Sequence, residues 1–151
     1  MDGGASGRGR GVTWIVDTCV VLDVLDGDPE FGLVSARCLD SLAGEGLALC
    51  PVSYVELAPA FLGNVGRQNE FLASVGIDYA LSWDWKDTQQ AHKAWERYIV
   101  KRRENRISRR PVADILIGAF AADRRGLVTR NPADFKAVFP DLAIVTPTCG
   151  K

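Results

Sequence analysis

At 151 residues the chain is long enough for one domain with a sizeable core. Its 18 Lys+Arg against 19 Asp+Glu leave no net charge that would by itself name a partner. One histidine argues against a zinc site of the ordinary type, and four cysteines without C-x-x-C spacing argue for free thiols in a reducing compartment.

Residues 1–11 are rich in glycine and read as a flexible N-terminal tail. The β-branched run 12-VTWIV-16 then has the length of a buried strand. Helical patterns follow in 18-TCVVLDVLDG-27 and 30-EFGLVSARCLDSLAG-44, the second stopped by Gly44 and Gly46. A second strand is expected at 47-LALC-50, and a helix over 52–63 that breaks at Pro59. A short helix over 68–76 and a weaker strand, 78-DYALSW-83, come next.

From Lys86 to Glu104, apolar positions Ala91, Ala94, Trp95, Tyr98 and Ile99 predict an amphipathic helix with a basic far end. Charge is concentrated there: 97-RYIVKRRENRISRR-110 holds seven cationic residues against the single acid Glu104. A helix over 112–125, apolar on every side, precedes strand 126-GLVT-129, a short helix near 133–139 and strand 142-LAIVT-146. Strands alternating with helices, and apolar on both faces, indicate an α/β fold with a parallel sheet. No run of 18 apolar residues and no signal-peptide core appears, so the expected location is cytoplasmic, with no membrane segment.

Three carboxylates share one setting. Asp17 follows the first strand, Glu56 lies just after the second, and Asp114 opens the apolar helix before the fourth. Asn131 also comes directly after a strand. In a parallel sheet, ligands bind beyond the carboxyl ends of the strands where strand order reverses, so these positions can converge. Each has a plainer reading: Asp17 and Asp114 as helix N-caps, Glu56 as a surface residue. Clustered carboxylates repel, however, unless one takes a proton or a cation intervenes. Oxygen-only ligands of this kind suit Mg2+ or Mn2+.

These residues resemble the PIN-domain nucleases, especially VapC-type toxins of bacterial type II toxin–antitoxin systems. The matching pieces are 15-IVDTCVVLD-23, 53-SYVELA-58 and 112-VADILIGAFAADRRGLVTRNPADF-135. The resemblance implies a single PIN-like domain over 12–148, with a mainly parallel sheet flanked by helices. It implies an Mg2+-dependent (or Mn2+-dependent) endoribonuclease that leaves a 5′-phosphate and a 3′-hydroxyl. Asp17, Glu56, Asp114 and Asn131 would be catalytic, Asp17 and Asp114 would hold the metal, and Thr18 would help position ligand or water. Asn131 stands where the family often has an acid. The implied partners are RNA, a cognate antitoxin and a second copy of the chain.

The basic segment precedes Asp114, so Arg102, Arg103, Arg106, Arg109 and Arg110 are candidate phosphate contacts. A solvated helix end favoured by the helix dipole is the plainer account. Trp83, Trp85 and Trp95 read as core or dimer contacts before base-stacking ones, and His92 as a helix-face residue. A haloacid-dehalogenase-type phosphatase would need a second Asp where Cys19 stands. No G-x-G-x-x-G or P-loop follows any strand. The remaining alternative is a PIN-like RNA-binding or regulatory protein without catalysis.

Overall fold

The computed structural model describes residues 12–104 and 112–148. Alternation along the strands decides its layers, because successive strand residues point to opposite faces. In β1 (Trp14–Val16), Trp14 and Val16 enter one core and Ile15 the other. In β2 (Leu47–Ala48), Leu47 joins the first and Ala48 the second, and Leu49 and Cys50 continue the alternation.

The helices follow from local signals. α1 (Thr18–Asp26) ends at Gly27, whose φ of 60° turns its N–H back onto the Asp23 and Val24 carbonyls. α2 (Gly32–Leu42) runs into a 3-10 turn at Ala43–Glu45 before reaching Gly46. α3 (Pro51–Glu56) has proline at its start, where a missing N–H costs nothing, and the chain tightens to a 3-10 turn at Ala58–Phe61. α4 (Val65–Ser74) begins earlier than the sequence pattern indicates, because the Asn64 side chain caps it by accepting from the Arg67 N–H.

β3 is confined to Ile77–Asp78 and not to 78–83. Asp78 Oδ1 accepts the Ala80 N–H at 2.9 Å, a local turn that competes with further strand pairing. α5 (Trp85–Arg103) starts with a capping box made by Asp84 and Asp87. α6 (Val112–Ala122) is the expected apolar helix, with Ile115 and the run Ile117–Ala121 buried. β4 (Gly126–Val128), α7 (Pro132–Lys136) and β5 (Ile144–Val145) complete the chain.

The five strands run in the order β3-β2-β1-β4-β5, and every pair is parallel. The fold is α/β, as the sequence pattern indicates. Side chains of α5, α6 and α7 cover the face holding Ile15, Ala48 and Leu127. Side chains of α1, α2 and α4 cover the face of Trp14, Leu47 and Val128. Among the described residues no helix is long and apolar enough to cross a membrane. Cys19, Cys38 and Cys50 are free thiols. The tail at 1–11, the basic residues Arg106, Arg109 and Arg110, and Cys149 lie outside the described residues.

One charged pair is sealed inside. Arg124 Nη1 donates to Asp87 Oδ1 at 2.9 Å and to the Phe120 carbonyl at 2.7 Å, and the guanidinium lies 3.6 Å over the Phe120 ring. Asp87 also accepts the Asp84 N–H at 3.0 Å, so one carboxylate serves the helix cap and the ion pair together. This ties the start of α5 to the end of α6.

Close packing of α6 makes a specific demand at Gly118, where a Cβ would lie 2.3 Å from a Phe139 ring carbon. In an open helix, glycine to alanine gains about 1 kcal/mol, whereas overpacking a core costs about 1–3 kcal/mol. Here the clash is with a buried ring, so Gly118→Ala is expected to lower stability to urea by about 1–2 kcal/mol. Equal or greater stability would show that Phe139 swings aside at no cost.

Candidate active site

The chain lays β2 and β3 on one side of β1 and β4 and β5 on the other, so strand order reverses between β1 and β4. That is where a crevice opens beyond the strand ends. Val16 pairs with Val128, which makes Asp17 and Thr129 the first residues past the paired ends. The Asp17 N–H donates to the Val128 carbonyl at 2.9 Å, and the Thr129 N–H to the Val145 carbonyl at 3.1 Å.

Asp17 occupies the N-cap position of α1 with extended backbone angles, yet its side chain makes no cap hydrogen bond. The carboxylate is aimed elsewhere: Oδ2 accepts from Thr129 Oγ1 at 2.7 Å and from Cys19 Sγ at 3.5 Å. Burial, and then the Asp17 charge, push the Cys19 thiol up to about 11, so it is protonated at neutral pH and acts as the donor. Thr129 is wholly buried, and its Oγ1 also accepts the Asn131 N–H at 3.1 Å. A chain of hydrogen bonds therefore runs from Asn131 through Thr129 to Asp17.

Glu56 ends α3 and is exposed; its Oε1 accepts from Thr18 Oγ1 at 2.7 Å. Asp114 lies in the first turn of α6. Asn131 sits at the N-cap position of α7, again without a side-chain cap bond. Asp17, Thr18, Glu56, Asp114 and Asn131 line one cavity of about 360 Å³ together with Cys19 and Leu22. The structure thus gathers four positions that are widely spaced in sequence, and the cap reading of Asp17 fails.

Among the described residues, no three His, Cys, Asp or Glu side chains are drawn tightly enough together to hold a metal ion. Like charges in one crevice repel, and Asp17 and Glu56 each turn an oxygen to a neighbouring hydroxyl. The donor set itself suits a hard divalent cation: carboxylate oxygens from three acids and an amide oxygen from Asn131. Both hydrogen bonds to Asp17 fall on Oδ2, and Oδ1 accepts none from the described residues.

The basic strip divides. Arg97 Nε donates to the Val138 carbonyl at 3.1 Å, and Lys101 Nζ to the Ala137 carbonyl at 2.7 Å. These two are anchors for the end of α7. Arg102 is half-buried and Arg103 exposed at the end of α5. Of the aromatic residues, Trp83 stacks on Phe120 at 5.8 Å and donates to Thr88 Oγ1, which makes it a core residue. Trp95 packs against Tyr98 at 5.4 Å, while Trp85 is exposed. His92 is exposed on α5.

Three residues near the cavity escaped sequence reasoning. Thr129 carries its signal only through the β1–β4 register. Asp23 and Arg130 form an ion pair, Arg130 Nε to Asp23 Oδ2 at 2.6 Å, across 107 residues of sequence.

No protein-family model and no curated protein sequence matches the chain. Among solved structures, a chain of the VapBC2 complex from Rickettsia felis, bound to a DNA fragment from its promoter, matches with a TM-score of 0.65. The match covers 89% of this chain and 98% of that one, at 18% identity. The chain shares that fold, a PIN-like α/β domain. The likeness is one of backbone path.

Proposed function

We propose that the protein is a metal-dependent endoribonuclease, the toxin of a toxin–antitoxin pair, with its nuclease domain spanning residues 12–148. What carries the reading is the meeting of Asp17, Glu56, Asp114 and Asn131 on one cavity at the point where strand order reverses. Asp17 and Asp114 would hold Mg2+ or Mn2+, which supplies polarisation of a phosphodiester and a water of lowered pKa. A cytoplasmic location follows as part of the same reading.

The chain's own groups divide the remaining work. Thr129 fixes Asp17 through Oδ2 and leaves Oδ1 for the ligand. Thr18 steadies Glu56 through Oε1, so that Oε2 takes a proton from the attacking water. Water oxygen bonds to phosphorus, the bond to the 3′ oxygen breaks, and that oxygen leaves as an alkoxide that takes a proton from solvent to become the 3′-hydroxyl. Asn131 adds an amide oxygen without adding charge. That neutral group also favours the second reading, a PIN-like RNA-binding or regulatory protein without catalysis.

The two readings part on one experiment. Purified full-length protein incubated with structured RNA and Mg2+ is expected to produce fragments with 5′-phosphate ends, and EDTA to stop it. Glu56→Gln is expected to abolish cleavage while moving stability by less than about 0.5 kcal/mol, since the residue is exposed. RNA that is bound but left intact by the wild-type protein would establish the non-catalytic reading instead.

Arg102 and Arg103, at the end of α5, are proposed to contact RNA phosphates, along with Arg106, Arg109 and Arg110. Such contacts are electrostatic and independent of base sequence. Neutralising Arg102 and Arg103 together should weaken binding and flatten its salt dependence by roughly one to two units of slope, at about 0.7 per phosphate. Measured in Ca2+ to limit turnover, an unchanged slope would remove these residues from the RNA path.

A homodimer that binds a cognate antitoxin is proposed as the resting assembly. Exposed apolar side chains at Leu33, Val55, Leu62, Val65 and Trp85 support it, since they would be shielded in such an assembly. Light scattering at micromolar concentration is expected to give a dimer alone and a larger complex with the antitoxin. A monomer in both samples would count against this assembly.

A further inference from the structure

We propose that Asp23 and Arg130 are positioning residues for the acidic cavity, holding the Thr129–Asn131 turn against α1 so that Thr129 keeps Asp17 in place. The inference rests on the nuclease reading for its consequence, though its geometry stands independently.

Three consecutive residues leave the end of β4 with separate tasks. Thr129 donates to Asp17 Oδ2, Arg130 pairs with Asp23, and Asn131 lines the cavity. The Arg130 fork is two-pronged: Nε reaches Asp23 Oδ2 at 2.6 Å and Nη2 reaches Oδ1 at 3.2 Å. Its flat face lies 4.3 Å over the Phe31 ring. Asp23 is itself buried and accepts from Ser35 Oγ at 3.5 Å, so the fork docks on a carboxylate that is already held. A planar, bidentate arginine fixes orientation as well as distance, which a lysine would not.

Asp17 and Asp23 sit at the start and in the body of the same helix. Thr129 and Arg130 therefore grip α1 at two points, and the turn cannot rotate about either contact alone. The pair also neutralises Asp23, which would otherwise add an unpaired negative charge to the helix that Asp17 begins. Breaking the pair frees the turn, loosens the Thr129 hydroxyl and leaves Asp17 Oδ2 with only the longer Cys19 contact.

Three full-length variants test this: Arg130→Met, Arg130→Lys and Asp23→Asn, with Arg125→Gln as a control that breaks the surface pair with Glu45. The metal-free readout is hydrogen exchange at the Asn131 N–H, which donates to Thr129 Oγ1. Exchange is expected to quicken about tenfold in Arg130→Met and Asp23→Asn, less in Arg130→Lys, and not at all in the control. The second readout is Mn2+ affinity from the signal of the free ion, expected to fall about tenfold in the same order, as when a group orienting a ligand is lost.

A merely structural pair would lower the melting temperature and leave both readouts at their wild-type values, and that result overturns the proposal. If Arg130→Met does not fold, the milder Arg130→Lys decides by the same measures. Wild-type protein that binds no Mn2+ would sink the nuclease reading, while the exchange data would still judge the positioning role.

Discussion

The parallel pairing of β1 with β4 governs everything at the candidate site. It sets Val16 beside Val128, and so it decides that Asp17 and Thr129 are the residues emerging together at the open end of the sheet. A register shifted by one would exchange the two faces of β4 between the cores and, in one direction, would put Arg130, not Thr129, beside Asp17. The shift is blocked because Leu127 and Val128 are each wholly buried, in different cores on opposite faces. Apolar burial thus fixes a polar geometry. The chemistry inherits its precision from the packing of β4.

Given that placement, the acids must be reconciled with one another. The cavity brings three carboxylates to one small volume, and two of them are met by hydroxyl donors, Thr129 for Asp17 and Thr18 for Glu56. A hydroxyl stabilises a carboxylate without cancelling its charge, so the cavity stays attractive to a cation. A lysine or arginine in the same places would neutralise it. Among the described residues, Arg130, next to Asn131, is taken by Asp23 on the α1 side. Asn131 fits the same logic, since a fourth acid would add repulsion that an amide avoids.

Much of this was legible in the sequence, and for identifiable reasons. Runs such as 12-VTWIV-16 and 126-GLVT-129 are apolar on both faces because both faces of a parallel sheet are covered, and that pattern is visible without a structure. The acids were legible by position, each beside a strand end or at the head of an apolar helix. The third strand was not: only Ile77 is buried there, and Asp78 turns the chain at once, so its apolar run 79–83 pointed to the wrong residues. The ion pairs were invisible for another reason. Asp23 with Arg130 and Asp87 with Arg124 are separated by 107 and 37 residues, and nothing local distinguishes these arginines from the others.

Those two pairs bracket one strand. Arg124 precedes β4 and is fixed to Asp87 at the start of α5, on one face of the sheet. Arg130 follows β4 and is fixed to Asp23 in α1, on the other face. Buried ion pairs are weak contributors to net stability, because desolvation offsets most of their attraction. What they supply is orientation: a guanidinium fork fits its carboxylate in few ways. With an arginine anchored at each end, to helices in different layers, β4 is restrained against sliding and against tilting. The residue that gains is Thr129, which must hold its 2.7 Å contact with Asp17 whatever the surrounding loops do.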